Sequence, residues 1–284
     1  MPNIAEELQE ATKILQNSGI AEPRREASSV LSFALKKDKT FLIAHPEYEL
    51  TEKEEEIFQD FLNRRAAHEP FQYIVGKQEF YGLDFWVTPD VLIPRPETEL
   101  IVEKAIEILK AKENPQFCEV GIGSGCISVA ILHEVRTASA IGLDVSEKAL
   151  RIAEKNAKWL GVLERLNLKV SDVFAEFNDE KFDLIVSNPP YVPSEDFSTL
   201  QAEVRDFEPQ VALTDGKDGL SIIEKLIIES PEFLKSNGFL LMEIGFNQSN
   251  KVRRMFAPEI WREVDFFPDL QGIPRMIKAQ IDKK

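Results

Sequence analysis

The sequence predicts an α/β fold: a mostly parallel sheet with helices on both faces, preceded by a small helical bundle and a hairpin linker. Two observations predict it. From Glu97 onward, short apolar runs alternate with helical stretches, as in a parallel sheet buried on both faces. Before about Ala67, apolar residues recur instead at helical spacing, one stripe per helix facing a common core. The expected organisation is a helical domain over 1–69, a hairpin linker over 70–90 and the α/β domain over 91–284.

In chain order, Ile4, Leu8, Ala11 and Leu15 mark one buried helix face, which Asn17-Ser18-Gly19 ends. Pro23 suits the first turn of a second helix carrying Ala27, Val30, Leu31 and Ala34, because a first-turn residue needs no N–H donor. Thr51 and Glu54 stand at capping-box spacing ahead of Ile57, Phe58, Phe61 and Leu62,. Between Tyr73 and Val87 the period changes to short extended runs around Gly76 and Tyr81-Gly82, the signal of a hairpin. Strands are expected at Phe117 to Val120, Ala138 to Leu143, Leu166 to Val170, Phe182 to Val186, Phe239 to Met242 and Met276 to Ile281.

Composition narrows the function classes. Hydrophobic residues are 43% and charged residues 29% of 284, which suits a folded globular chain and not a disordered one. No apolar stretch approaches the roughly 20 residues of a membrane span. The start of the chain carries Glu6, Glu7 and Glu10 instead of a basic, then apolar, leader,, so a cytoplasmic location is expected. Cys118 and Cys126 supply neither a disulfide framework nor metal spacing, and His45, His68 and His133 are scattered; no metal is expected. The net charge of −15 counts against a nucleic-acid substrate, whose affinity comes largely from neutralised phosphates.

Two motifs carry chemistry. Glu119-Val120-Gly121-Ile122-Gly123-Ser124-Gly125 ends the first strand of the sheet and leads into a helix; glycines there allow a tight turn and close approach of backbone to ligand. Twenty-three residues after Gly121, Asp144 ends the next strand, where a carboxylate accepts the hydroxyls of a ribose. The glycines run G-x-G-x-G, and Cys126 stands where a dinucleotide fingerprint has its third glycine. This shorter form resembles the first motif of class I S-adenosylmethionine-dependent methyltransferases, whose fold is Rossmann-like. In that comparison Asp172, after the third strand, is expected against the adenine amino group. The second motif is Asn188-Pro189-Pro190-Tyr191 at the end of a buried strand. Consecutive prolines hold an extended, rigid backbone, so the Asn188 side chain and the Pro189 carbonyl can stand as fixed acceptors for a substrate NH2 group. Tyr191 offers an aromatic face for a planar amide or base.

Further stretches, Glu69-Pro70-Phe71-Gln72-Tyr73-Ile74-Val75-Gly76, Phe80-Tyr81-Gly82, Leu92-Ile93-Pro94-Arg95-Pro96-Glu97-Thr98-Glu99, Gly219 and Met242-Glu243-Ile244-Gly245, make essentially the whole chain resemble the bacterial release factor glutamine N5-methyltransferases, the HemK family. The resemblance implies that Gly121, Ile122, Gly123, Ser124, Gly125, Asp144, Asp172, Val173 and Asn188 hold S-adenosyl-L-methionine. It implies that Asn188, Pro189, Pro190 and Tyr191 hold the glutamine of the Gly-Gly-Gln loop of class I release factors, and that the helical domain docks this partner. Val173 stands where many members carry Trp, and Phe207-Glu208-Pro209 replaces the usual Tyr-Glu-Pro. Of the residues around Arg95, a held cation at a helix start, Thr98 or Glu99 is expected to cap the helix.

Other readings share parts of this pattern. An adenine-N6 DNA or RNA methyltransferase has the same Asn-Pro-Pro-Tyr, but needs a basic track and a way to extract a base. A non-catalytic S-adenosylmethionine-binding docking protein has no need of both motifs intact, and an NAD-dependent oxidoreductase conflicts with the glycine spacing.

Overall fold

The computed structural model describes residues 1–282, which fall into two compact units, 1–76 with 201–207 and 77–200 with 208–282. Along the chain the helices are α1 (Ile4–Asn17), α2 (Pro23–Leu35), α3 (Lys39–Ala44), α4 (Glu52–Ala66), α5 (Phe71–Val75), α6 (Glu99–Lys110), α7 (Cys126–Glu134), α8 (Glu147–Trp159), α9 (Ala202–Phe207), α10 (Gln210–Leu213), α11 (Ser221–Phe233) and α12 (Ser249–Arg253). The strands are β1 (Lys77–Phe80), β2 (Leu83–Trp86), β3 (Gln116–Val120), β4 (Ser139–Asp144), β5 (Leu166–Val170), β6 (Phe182–Ser187), β7 (Leu234–Glu243), β8 (Trp261–Pro268) and β9 (Pro274–Ile281).

In the first unit the expected capping box at Thr51 and Glu54 is formed, and a second one joins Asn3 to Glu6 at the head of α1. Each satisfies two backbone N–H groups that a helix start leaves open. Leu8, Ala11 and Leu15 of α1 meet Val30 and Leu31 of α2 and Phe58 and Leu62 of α4 in one core. Arg65 is buried near the end of α4, its guanidinium donating to Glu26 at 2.8 Å and to Glu203 of α9 at 2.6 Å. That pairing accounts for the return of residues 201–207 to this unit, since a buried guanidinium needs its carboxylates.

The stretch 70–90, expected as a linker, is divided. α5 belongs with the helices, whereas β1 and β2 form the expected antiparallel hairpin within the second unit. Phe80 and Phe85 of the hairpin are fully buried in that unit's core, so this segment is packed structure.

The seven-stranded sheet has the order β5-β4-β3-β6-β7-β9-β8, parallel from β5 to β7, with β9 antiparallel to both β7 and β8. Side chains alternate between its two faces, as a period of two requires. Phe117, Leu184, Val186 and Leu241 join one core with α6 and α7, while Cys118, Ile185, Leu240 and Met242 join another with α11. β6 is buried at every position. The chain turns from β3 to β4 on one side and reaches β6 on the other, so the carboxyl ends of β3 and β6 flank the switch point where α/β sheets bind ligands. Among the described residues no helix is long and apolar enough to cross a membrane.

Candidate functional site

A cavity of about 320 Å³ opens at that switch point, within the size range of small-molecule sites. Gly121, Ile122, Gly123 and Ser124 form one wall after β3, with Asp144 after β4, Asp172 and Val173 after β5, and Asn188 and Pro190 after β6. Gly125, expected among the ligand contacts, is not among the residues lining the cavity. Its φ is +81°, and a Cβ there would lie 3.2 Å from that of Ala153 on α8, so this glycine serves close helix packing. The turn is braced from behind by buried Asn156, which donates to the Ser124 carbonyl at 2.8 Å and exchanges two hydrogen bonds with the Trp86 backbone.

Asp144 Oδ2 accepts from Gly123 N and Oδ1 from Ser146 N, both at 2.9 Å. Each oxygen keeps a lone pair for a further donor, which suits the paired hydroxyls of a ribose. Burial raises the pKa of Asp144, while the N–H groups of Ser146 and Gly123 pull it back. Beneath the turn Glu119 is buried, accepts from Ser128 N at 2.8 Å and has its carboxyl pushed by burial up to about 8. A protonated carboxyl therefore lines the cavity at neutral pH. Asp172 carries an ion pair with Lys225 at 3.1 Å, both side chains partly in solvent. Val173 beside it is buried and adopts φ of +53°, a strained conformation for a β-branched residue.

The Asn-Pro-Pro-Tyr segment is held from several directions. Asn188 Nδ2 donates to Thr98 Oγ1 at 3.2 Å, Thr98 Oγ1 donates to Glu243 Oε2 at 2.7 Å, and Tyr191 Oη donates to Glu243 Oε1 at 2.9 Å. Thr98 stands at the N-cap position of α6 but its side chain makes no capping hydrogen bond, and the Glu99 carboxylate accepts from Tyr81 N at 2.9 Å. Burial and the Glu243 carboxylate hold the Tyr191 phenol well above its usual range, so it stays a neutral donor. Burial also raises Glu243, opposed by the two hydroxyl donors. Tyr191 is half-buried and, like Pro189, lies outside the cavity lining. Gly219 fixes its position from the other side: φ is +75°, and a Cβ would sit 2.7 Å from the Tyr191 carbonyl carbon, closer than any side chain permits.

Arg95, also on the cavity wall, is held by Glu208 at 2.5 Å, and the same buried carboxylate accepts from Ile93 N at 3.2 Å. The Pro-Arg-Pro and Phe-Glu-Pro segments are thus two sides of one contact. Asn156, Glu208 and Glu243 stand in no motif whose spacing predicts these roles. Glu243 had a readable signal, since it ends an apolar strand with a carboxylate, as Asp144 does. Asn156 had none, being one polar residue on an amphipathic helix. Among the described residues no group of His, Cys, Asp and Glu has the arrangement of a metal site.

The residues fit S-adenosylmethionine: a glycine turn beside the cavity, a carboxylate with spare lone pairs at the end of the neighbouring strand, and apolar Val145, Val173 and Ile222 on the wall. Residues 6–76 match the sequence profile of the PrmC N-terminal domain, and residues 98–205 that of the methyltransferase small domain. A solved methyltransferase from Pyrococcus furiosus shares the fold with a TM-score of 0.55 at 17% identity, over 78% of this chain and 100% of that one. The fold is that of the class I S-adenosylmethionine-dependent methyltransferases. The release factor glutamine methyltransferase of Koribacter versatilis (strain Ellin345) is 39% identical over 268 residues, 94% of each chain. The protein of the same name from Geobacter sulfurreducens is 39% identical over 267 residues, 94% of this chain and 93% of that one. The alignments extend over 94% of the chain and so take in the helical unit as well as the sheet, and the chain belongs to the release factor glutamine methyltransferase family.

Proposed function

We propose that this chain transfers a methyl group from S-adenosylmethionine to the side-chain amide nitrogen, N5, of the glutamine in the Gly-Gly-Gln motif of class I peptide-chain release factors. The reading includes a cytoplasmic setting, a role in translation termination, docking of the release factor by the helical unit and no direct contact with nucleic acid. The observation that carries it is Asn188 at the carboxyl end of β6, lining the same cavity as the glycine turn and Asp144, in a chain of this family.

When bound, S-adenosylmethionine supplies a methyl carbon already activated by its sulfonium, so the protein's task is alignment more than base catalysis. Asn188 Oδ1 and the Pro189 carbonyl accept the two N–H groups of the glutamine amide. That fixes the nitrogen, turns its lone pair toward the methyl carbon and stabilises positive charge as it develops. Tyr191 covers one face of the planar amide. The proton leaves to water after transfer, and the neutral Tyr191 phenol takes no part as a base. Gly121, Ile122, Gly123 and Ser124 hold the methionine part, Asp144 the ribose, and Asp172 and Val173 the adenine.

A methyl-transfer assay with labelled S-adenosylmethionine tests this reading. It offers release factor, its Gly-Gly-Ala variant and adenine-containing DNA side by side. Label on the unaltered release factor alone is expected. Label on DNA would transfer the same site to adenine-N6 chemistry, and label on neither substrate would leave a binding protein without turnover.

A further inference from the structure

The two ends of an asparagine amide have nearly the same shape and opposite chemistry. With Oδ1 toward the cavity, Asn188 accepts from an incoming N–H; with Nδ2 toward it, the side chain presents donors and turns an amide NH2 away. Packing alone separates these two orientations poorly. We propose that Thr98 and Glu243 are positioning residues that fix the Asn188 amide with its oxygen toward the substrate.

The chain of hydrogen bonds has one direction. Glu243 is 3% exposed, and both of its oxygens act as acceptors in the structure. Its two oxygens take the hydroxyls of Thr98 and Tyr191, and among the described residues no cation pairs directly with it. The single hydroxyl hydrogen of Thr98 is thereby committed to Glu243 at 2.7 Å. Thr98 Oγ1, 2% exposed as a residue, has only lone pairs left for Asn188. Nδ2 meets them at 3.2 Å, whereas a flipped amide would set Oδ1 against another oxygen with no hydrogen between them. The donor Nδ2 is occupied, and no described residue donates to Oδ1.

The consequence concerns selectivity and rests on the functional reading above. An acceptor locked toward the cavity admits a group that brings N–H donors, such as an amide. It disfavours a carboxylate, so the site distinguishes glutamine from glutamate. The lock is assembled from the Pro-Glu-Thr-Glu segment, the end of β7 and the Asn-Pro-Pro-Tyr segment, which the fold brings together from widely separated parts of the chain.

The test compares Thr98→Val, which keeps the shape and removes the hydroxyl, with Thr98→Ser, which keeps the hydroxyl. On the full-length protein, Thr98→Val is expected to lower kcat on release factor by tenfold or more, with the cofactor Kd within twofold of wild type. Thr98→Ser is expected to stay within threefold in kcat. Full turnover by Thr98→Val, or a Thr98→Ser variant as slow as Thr98→Val, would overturn the proposal. Glu243→Gln gives Thr98 an amide donor and allows the chain to reverse; a tenfold loss supports the lock, and unchanged kcat overturns it even if Thr98→Val does not fold. The Asn188 side-chain NH2 signals in a ¹⁵N–¹H spectrum provide a readout without turnover. They should shift in Thr98→Val and hold in Thr98→Ser, and signals that ignore both changes would sink the idea. Wild-type protein that fails to label release factor while its Asn188 signals respond as stated would defeat the functional reading and spare this one.

Discussion

The two halves of the cavity are built by different means. The half at the glycine turn is mostly backbone from one short stretch, Gly121 to Ser124, completed by a carboxylate one strand away. The half at Asn188 is lined by the side chains of Thr98 and Asn188, braced from outside the lining by Tyr191 and Glu243, and its central bond spans 145 positions. A half made of backbone tolerates changes of side chain but not of backbone conformation. A half made of a directional chain of hydroxyl, amide and carboxylate fails when any one link is changed.

The largest expected effect tests whether the halves are separable. Asn188→Ala should lower kcat about 100- to 1,000-fold, the range for removing a group aimed at developing charge, and by a much larger factor than it raises the cofactor Kd. Calorimetry beside steady-state kinetics checks this, and an equal loss in both would merge the two halves. Asp144→Ala should do the reverse. Losing a charged acceptor costs about 1.5–3 kcal/mol, so the cofactor Kd should rise roughly 10- to 100-fold. At saturating cofactor, kcat should hold within about threefold, since the reacting nitrogen is held elsewhere.

Glu119 sharpens the comparison from beneath the glycine turn. Burial raises its folded pKa to about 8 from the ordinary 4.5, so between those values the folded chain binds one proton more than the unfolded chain. Stability from this group is complete below 4.5 and declines as pH rises through about 8. Glu119→Gln keeps the acceptor for Ser128 N and cannot titrate. Its Tm without cofactor should fall by roughly a few degrees less than that of wild type between pH 5 and pH 8, and parallel melting curves at both pH values would remove the assigned role. The smallest effect belongs to Lys225. Its pair with Asp172 is partly in solvent, and such pairs contribute about 0–1 kcal/mol. Lys225→Ala should change the cofactor Kd by less than about fivefold, and a larger shift would mean that Asp172 is organised by this lysine.

The same contrast explains what could be read in advance. The parallel core was legible because Phe117 to Val120 and Phe182 to Val186 are short, mostly apolar runs, and both lie within strands. β8 was not, because as an edge strand it buries only Trp261 fully and alternates charge with partly exposed aromatics. α3 and α5 have six and five residues, too few to display a helical period. The cofactor turn is written in glycines and Asp144 at one spacing, and Asn-Pro-Pro-Tyr is contiguous. Thr98 was seen in the sequence and given the wrong partner. A threonine ahead of a helix is ordinarily a cap, and nothing local reveals a carboxylate on β7. The packing need at Gly125 is not local either, since Ala153 behind it lies on α8.

The short helix Ala202–Phe207 belongs to the helical unit although the chain reaches it only after β1 to β6. During synthesis Arg65 therefore meets Glu26 early and must wait for Glu203 until most of the protein has been made. The first unit to begin is not the first to be finished, and the last carboxylate for its buried guanidinium arrives from the ribosome after four strands of the large sheet.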